Sequence, residues 1–411
     1  MNYRTTANIA VITTILFFGV VIVLNTYSHS IAHWSLGELL ANYEGGFVRR
    51  GIVGQIAYMT GDPFYYVNLF QKLAISFFVI GSAFLVLVYK QILSKLFYSF
   101  MIILAPGGLY DMAIGGGFEY LDRKEIWFYN AIILLIFASK KYNFYSYKVT
   151  LFAALISVFM ILHHELFAVF FSPVIFLMYL LQKRSDKKVF TSNTMIYAVF
   201  TITTFFLVTY FHGNAEIVSA IKESYVEYQL NSNGGINALA WPFSKSNELS
   251  LVALTRGSLA YWIFFFGIAL VMSVLFILST FKRNDYIAIA MIINLSLFLS
   301  TLIASYAGWD WGRWISIYSI GVALIISLLK VVLSNLECEK KYRFKEDNIL
   351  SGVKLYKVKF LTLIITISLL MLFLTLVTRM AVCCDQPPVI DLIPIDQSIQ
   401  NLDFKPSKQA Y

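Results

Sequence analysis

Charge is what this chain has least of. Only 13% of its 411 residues are Asp, Glu, Lys or Arg, where a soluble domain carries about a quarter. That scarcity excludes a soluble multi-domain protein. Cysteine is almost absent, with Cys338, Cys383 and Cys384 alone. They lack zinc-type spacing, and vicinal cysteines rarely form a relaxed disulfide, so no disulfide framework is implied. No Walker-type loop and no dinucleotide glycine fingerprint occurs, so nucleotide-driven chemistry has no anchor. The net charge of +9 is not a nucleic-acid footprint, because basic residues collect on the cytoplasmic side of membrane proteins. Nucleic acid is therefore not an expected partner.

What is present is apolar surface. The hydrophobic share is 59%, with 36 Phe and 26 Tyr. A bilayer-crossing helix needs about 20 apolar residues. Such runs fall at 8–26, 68–89, 96–113, 126–140, 149–163, 166–182, 193–212, 259–281, 286–306, 314–335 and 358–380. The expected fold is all-α: a polytopic integral membrane protein with about eleven spans. The first run follows Arg4 and leads into Asn25-Thr26-Tyr27-Ser28 without a small-x-small cleavage site. It reads as an uncleaved first span.

Lysine and arginine set the orientation. Lys90 and Lys95, then Lys140, Lys141 and Lys148, then Lys183, Arg184, Lys187 and Lys188, then Lys282 and Arg283, then the run from Lys340 to Lys359 mark alternate connections. The positive-inside rule puts these in the cytoplasm, with the N-terminus inside and the C-terminus outside. Residues 1–380 read as one transmembrane domain, with outer loops at 27–67, 111–125, 213–258 and 307–313. Residues 381–411 read as an extended outer tail rich in Pro, Asp and Gln. All five histidines, His29, His33, His163, His164 and His212, fall on the outer side of this topology. Span interiors are nearly free of charge, whereas a transporter should carry ionisable groups near mid-span.

Four outer clusters carry candidate chemistry. Asn42–Gln55 holds Glu44, four glycines and the adjacent pair Arg49 and Arg50. Guanidinium is a planar, permanently charged fork suited to phosphate. Val48, Ile52, Ile56 and Met59 follow one helical stripe, which predicts a surface helix with Arg49 at its border. The bland alternative is a packed interfacial helix with snorkelling arginines. Gly51 and Gly54 leave bare backbone for a helix or ligand to approach.

The second cluster, Gly115–Glu125, ends Asp122-Arg123-Lys124-Glu125. Asp122 and Glu125 can cap the next helix, or Asp122 and Arg123 can serve a site. The third, His163-His164-Glu165, should form the outer tip of a short helical hairpin. A His beside a carboxylate can act as a general base, or the three can make a polar turn. The fourth reads Trp309-Asp310-Trp311-Gly312-Arg313-Trp314. It is either an aromatic belt with an Asp310–Arg313 pair, or a sugar and phosphate site built from Trp309, Trp311 and Arg313. A helix at about 215–230 in the longest outer loop could be a lid or an acceptor groove.

With those loops in hand, the chain resembles the bacterial O-antigen polymerases. These belong to the multi-spanning GT-C-type glycosyltransferases that use lipid-linked sugars. The likeness runs the length of the chain but lies in topology: ten or more spans, an acidic first outer loop with a surface helix, and arginines in outer loops. The resemblance implies a GT-C-like catalytic domain over 1–380 that polymerises undecaprenyl-diphosphate-linked repeats of O-antigen or capsule. It implies a location in the bacterial inner membrane with the C-terminus in the periplasm, donor and acceptor glycans on lipid carriers, and a chain-length regulator as a further membrane partner. Arg49, Arg50 and Arg313 would hold the diphosphate, supported by Arg123, His163, Trp309 and Trp311. Glu44, His164 and Glu165, with Asp122 and Asp310 behind them, are the candidate bases. No cofactor is expected; a divalent metal would require Glu44, Asp122 and Glu165 to converge, and no spacing demands one. A lipid-linked oligosaccharide flippase, a transferase using a polyprenyl-phosphate sugar, and a structural membrane subunit are the alternatives.

Overall fold

The computed structural model describes residues 3–28, 33–105, 108–109, 123–181, 187–226, 234–241, 259–307 and 311–339. The expected eleventh span at 358–380 and the tail from 381 lie outside these residues. Among the described residues the chain is helical, with no strand. Among the described residues five helices are long and apolar enough to cross a membrane: Pro63–Val88, Ser192–Tyr210, Ile263–Thr280, Asn284–Ser305 and Arg313–Glu337. Shorter apolar helices cover Asn8–Leu24, Ile92–Ile103, Tyr147–His163 and Leu166–Leu180. This is an all-α membrane protein.

Among the described residues the helices are, in chain order, α1 Tyr3–Ser28, α2 His33–Leu39, α3 Ile52–Tyr58, α4 Pro63–Leu85 and α5 Ile92–Ile103. Then come α6 Glu125–Tyr142, α7 Tyr147–His163, α8 Leu166–Phe170, α9 Ser172–Leu180 and α10 Lys187–Tyr210. Last are α11 Ala215–Glu223, α12 Gly234–Asn237, α13 Leu259–Thr280, α14 Asn284–Ala307 and α15 Trp311–Glu339. α15 is the central post, and 94% of its span is buried. It packs against α5, α6, α13 and α14. In contrast, Leu73, Phe77, Ile80 and Phe84 on α4, Leu87 just beyond it, and Ile292, Leu295, Leu299 and Ile303 on α14 are exposed. Their spacing of three to four residues lays an apolar stripe along the outer surface. In water such stripes would be unfavourable; against lipid tails they are at rest.

Two helices differ from the sequence expectation. In the run 96–113 the helix that begins at Ile92 ends at Ile103; at 1.5 Å per residue it is roughly 18 Å long, short of the roughly 30 Å hydrocarbon core. The run 166–182 is split at Phe171 into α8 and α9, with a proline opening the second piece. Pro173 has no N–H to continue an unbroken ladder.

The bundle has two distinct ends. At one, Asn335 donates to the Ser139 carbonyl over 3.1 Å, and Arg283 pairs with Asp285 and Glu337. Lys140, Lys141 and Lys282 belong to this end by chain continuity. At the other end a second, smaller apolar core forms from Leu39, Leu40, Val48, Val67, Ile221, Tyr225 and Ile236. It joins α2, the 40–51 loop, α3, the start of α4 and the α11–α12 segment. The candidate site sits between this cap and the bundle.

Candidate functional site

Five stretches of chain deliver charge to one place at the capped end of the bundle. α2 supplies Glu38 and the 40–51 loop supplies Arg49 and Arg50. The entrance to α6 supplies Arg123, Lys124 and Glu125. The α7–α8 turn supplies His163, His164 and Glu165, and the first turn of α15 supplies Arg313. Glu165 is the hub: Arg50 Nη2 lies 2.6 Å and Arg49 Nη1 3.2 Å from its Oε1, and Arg50 Nε donates to Oε2 over 3.0 Å. Arg50 and Arg123 both face Glu38 Oε1 at 3.8 Å. Arg313 Nε donates to Glu125 Oε1 over 2.7 Å, and its Nη2 lies 3.2 Å from His164 Nε2. His164 Nδ1 closes the circuit at 3.4 Å from Glu165 Oε2.

The local structure explains how these side chains are aimed. Arg50 adopts φ of 68°, a left-handed backbone that costs a non-glycine residue about 1 kcal/mol or more. Arg49 and Arg50 form a turn there, so the helix starts at Ile52 rather than at Val48. The stripe read from sequence is therefore corrected. Val48 is buried before the helix, Val53, Gly54 and Ala57 form its inner face, and Ile56 and Met59 point outward. The bare backbone at Gly54 is used by the chain itself, since a Cβ there would collide with the Ala41 carbonyl. The same holds at Gly45, where a Cβ would lie 2.8 Å from Ile217 Cα. That close approach lets α11 clamp the arginine loop. Asn42 Nδ2 donates to Ser224 Oγ over 2.9 Å, Tyr225 Oη to the Leu40 carbonyl over 2.8 Å, and Arg49 Nη2 to the Ala238 carbonyl over 3.3 Å.

Helix dipoles argue that the cations are not there to serve their helices. Arg313 sits in the first turn of α15, where a positive charge opposes the dipole. Glu125 sits favourably in the first turn of α6 but gives its carboxylate to Arg313 rather than to a cap. Arg123 is only 5% exposed and Lys124 is wholly buried. A second layer fixes them: Gln71 Nε2 donates to the Arg123 carbonyl and Trp127 Nε1 to Gln71 Oε1, each over 3.0 Å.

Burial works against every charge here, and the neighbours decide the outcome. Burial raises the Glu38 carboxyl, but Arg123, Arg313, Arg50 and Lys124 hold it far below the usual carboxylate range. Glu165 is likewise held down, with Arg50 overriding its burial, as is Glu125 through Arg313. Burial and then Arg50 push the His164 imidazole down to about 4, so it is neutral near pH 7. Four guanidiniums against three carboxylates leave one positive charge, and two when Lys124 is protonated. The surplus is chemically open, since Arg49 Nε, Arg123 Nη1 and both ring nitrogens of His163 have no hydrogen-bond partner among the described residues. An anion with several oxygens would satisfy such a set.

The sequence candidates divide clearly. Arg49, Arg50, Arg123, Arg313, His163, His164 and Glu165 converge. Glu44 does not: it is exposed on the loop, and among the described residues its carboxylate forms none of the cluster's ion pairs. Asp122, Trp309 and Asp310 lie outside the described residues, as does the side chain of Trp311. Arg313 pairs with Glu125 at the entrance to α6. Sequence reasoning missed Glu38, Lys124 and Glu125 as site residues, Glu125 being expected only as a helix cap. The signal at Glu38 was a lone carboxylate inside an apolar run, Leu36 to Ala41. Lys124 had no comparable signal, being one charge among four neighbours. Among the described residues no three His, Cys, Asp or Glu side chains are grouped as a metal ion would need. Comparison with family models, curated proteins and solved structures finds no match to this chain.

Proposed function

We propose that this protein is a membrane glycosyltransferase that moves glycan from a polyprenyl-diphosphate carrier to the terminal sugar of a second lipid-linked repeat. The setting that fits is the periplasmic face of a bacterial inner membrane, with undecaprenyl diphosphate as carrier and O-antigen or capsule as product. The observation that carries this reading is the convergence of Arg49, Arg50, Arg123 and Arg313 from distant parts of the chain at one end of the bundle.

The chemistry follows from the leaving group. Breaking the bond between the anomeric carbon and the diphosphate leaves charge on phosphate oxygens. Preorganised guanidinium donors in a water-poor site stabilise that charge as it grows. A diphosphate entering the cluster competes with Glu165 and Glu38 for the same forks. A flippase is disfavoured by placement, because a carrier of charged headgroups needs its cations midway along the helices. Here the cations gather at helix ends.

The test is reconstitution. Purified chain in lipid nanodiscs is given a polyprenyl-diphosphate-linked oligosaccharide, and products are read by mass spectrometry. Lengthened glycan is expected with the natural chain, and a loss of about a hundredfold or more with Arg50→Ala or Arg313→Ala. No lengthening at all, or equal lengthening in every arginine variant, rejects the reading.

A further inference from the structure

Lys124 is a wholly buried lysine to which the transfer reaction has so far given no task. Its Nζ lies 3.2 Å from the Arg50 carbonyl and 3.4 Å from the His163 carbonyl. Two carbonyls accept two N–H groups. A neutral amine then keeps its lone pair at the remaining tetrahedral position, and no third hydrogen-bond partner occupies that position among the described residues. We propose that the Lys124 amine is the proton acceptor of the glycosyl transfer. This inference rests on the transferase reading above.

The alternatives near it are worse bases. Glu38, Glu125 and Glu165 are each gripped by arginine, and a carboxylate stabilised in this way holds protons weakly. His164 uses its one acceptor nitrogen, Nδ1, for the Leu166 N–H, and its Nε2 faces Arg313 Nη2 at 3.2 Å. The charged groups facing Lys124 are Glu38 from α2, Arg50 from the loop before α3, its neighbour Glu125, and Glu165 from the α7–α8 turn; the His163 ring lies beside them. Burial, offset by Glu38 and reinforced by Arg50, pushes the Lys124 ammonium down to about 7. That matches the working pH of a general base.

The step balances. The acceptor hydroxyl oxygen forms a bond to the anomeric carbon as the carbon–oxygen bond to diphosphate breaks. The bonding pair leaves on the lipid diphosphate, and the hydroxyl proton moves to the Lys124 nitrogen. The resulting ammonium adds positive charge beside the departing anion.

The experiment follows transfer from pH 6 to 9 in natural chain, Lys124→Arg and Lys124→Gln, with binding of farnesyl diphosphate measured by thermal shift. The natural chain should lose rate as pH falls through about 7. Lys124→Arg, always protonated, should lose about a hundredfold or more, lose the acid limb from its residual rate, and still bind farnesyl diphosphate within threefold. A variant that keeps the natural rate or the same acid limb overturns the assignment while leaving the transferase reading intact. A natural chain that binds farnesyl diphosphate yet transfers nothing at any pH rejects the reading itself. Should both variants fail to fold, a flat natural profile from pH 6 to 9 overturns the assignment, and an acid limb supports it.

Discussion

Raising the pH from 7 to 9 should tighten this fold, with Lys124 as the cause. Burial lowers its ammonium from 10.5 to about 7 in the folded chain. In the unfolded chain the side chain is in water and keeps its ordinary value. Between those two values the unfolded chain holds a proton that the folded chain has released. Stability therefore rises with pH in that window, at about 1.4 kcal/mol per pH unit. From pH 7.5 to 9 the gain is roughly 2 kcal/mol, and below 7 the full burial penalty applies. For a chain of this length that corresponds to roughly 2–3 °C in the unfolding midpoint. Scanning fluorimetry in detergent at half-unit pH steps measures it. Lys124→Met removes this titrating group, so its midpoint should rise less over the same window than that of the natural chain, and lie higher at pH 7. A natural chain whose midpoint is flat or falling from 7.5 to 9, or a Lys124→Met variant with the same slope, would refute the account of Lys124 as a buried, weakened base.

Other perturbations test the scaffold. Glu125→Gln leaves Arg313 buried without its counter-charge and should cost about 3 kcal/mol, whereas Glu125→Gln with Arg313→Gln should recover at least half of that in chemical denaturation. The Glu125 contribution is complete above the ordinary carboxylate range and disappears as pH falls below it, because its folded value is depressed despite burial, chiefly by Arg313. Gly54→Ala drives a methyl into the Ala41 carbonyl, and folded yield by size-exclusion should collapse, while Gly61→Ala, at φ of 81° in open space, should cost only about 1 kcal/mol. Ile80→Arg places a charge on the exposed mid-span stripe of α4 and should cost roughly 3 kcal/mol of insertion, read by glycosylation-reporter topology, while Met59→Arg outside the spans should be tolerated.

How much of this was legible in advance differs by level. The helical membrane class followed from composition, because long apolar runs with so few charges have no other stable state. Long runs such as 259–281 and 286–306 gave their helices closely, and α13 and α14 match them. The shorter runs misled for local reasons. Pro173 broke one, and another stops as a helix at Ile103. The surface helix was misread at its start because hydrophobic period alone cannot register a left-handed residue such as Arg50.

By itself the sequence determined which residue types stand at the ends of the apolar runs: paired arginines, a His-His-Glu turn, and an arginine among tryptophans. Only the tertiary structure decided which of them meet. Glu38 and Glu125 became the partners of arginines far along the chain, Glu44 was left on the surface, and Lys124 was buried between two carbonyls. The physical reason is that charge pairing depends on a few ångströms of distance and on exclusion of water. Both are properties of how the cap closes over the bundle. Neither is written in the order of residues along any one segment.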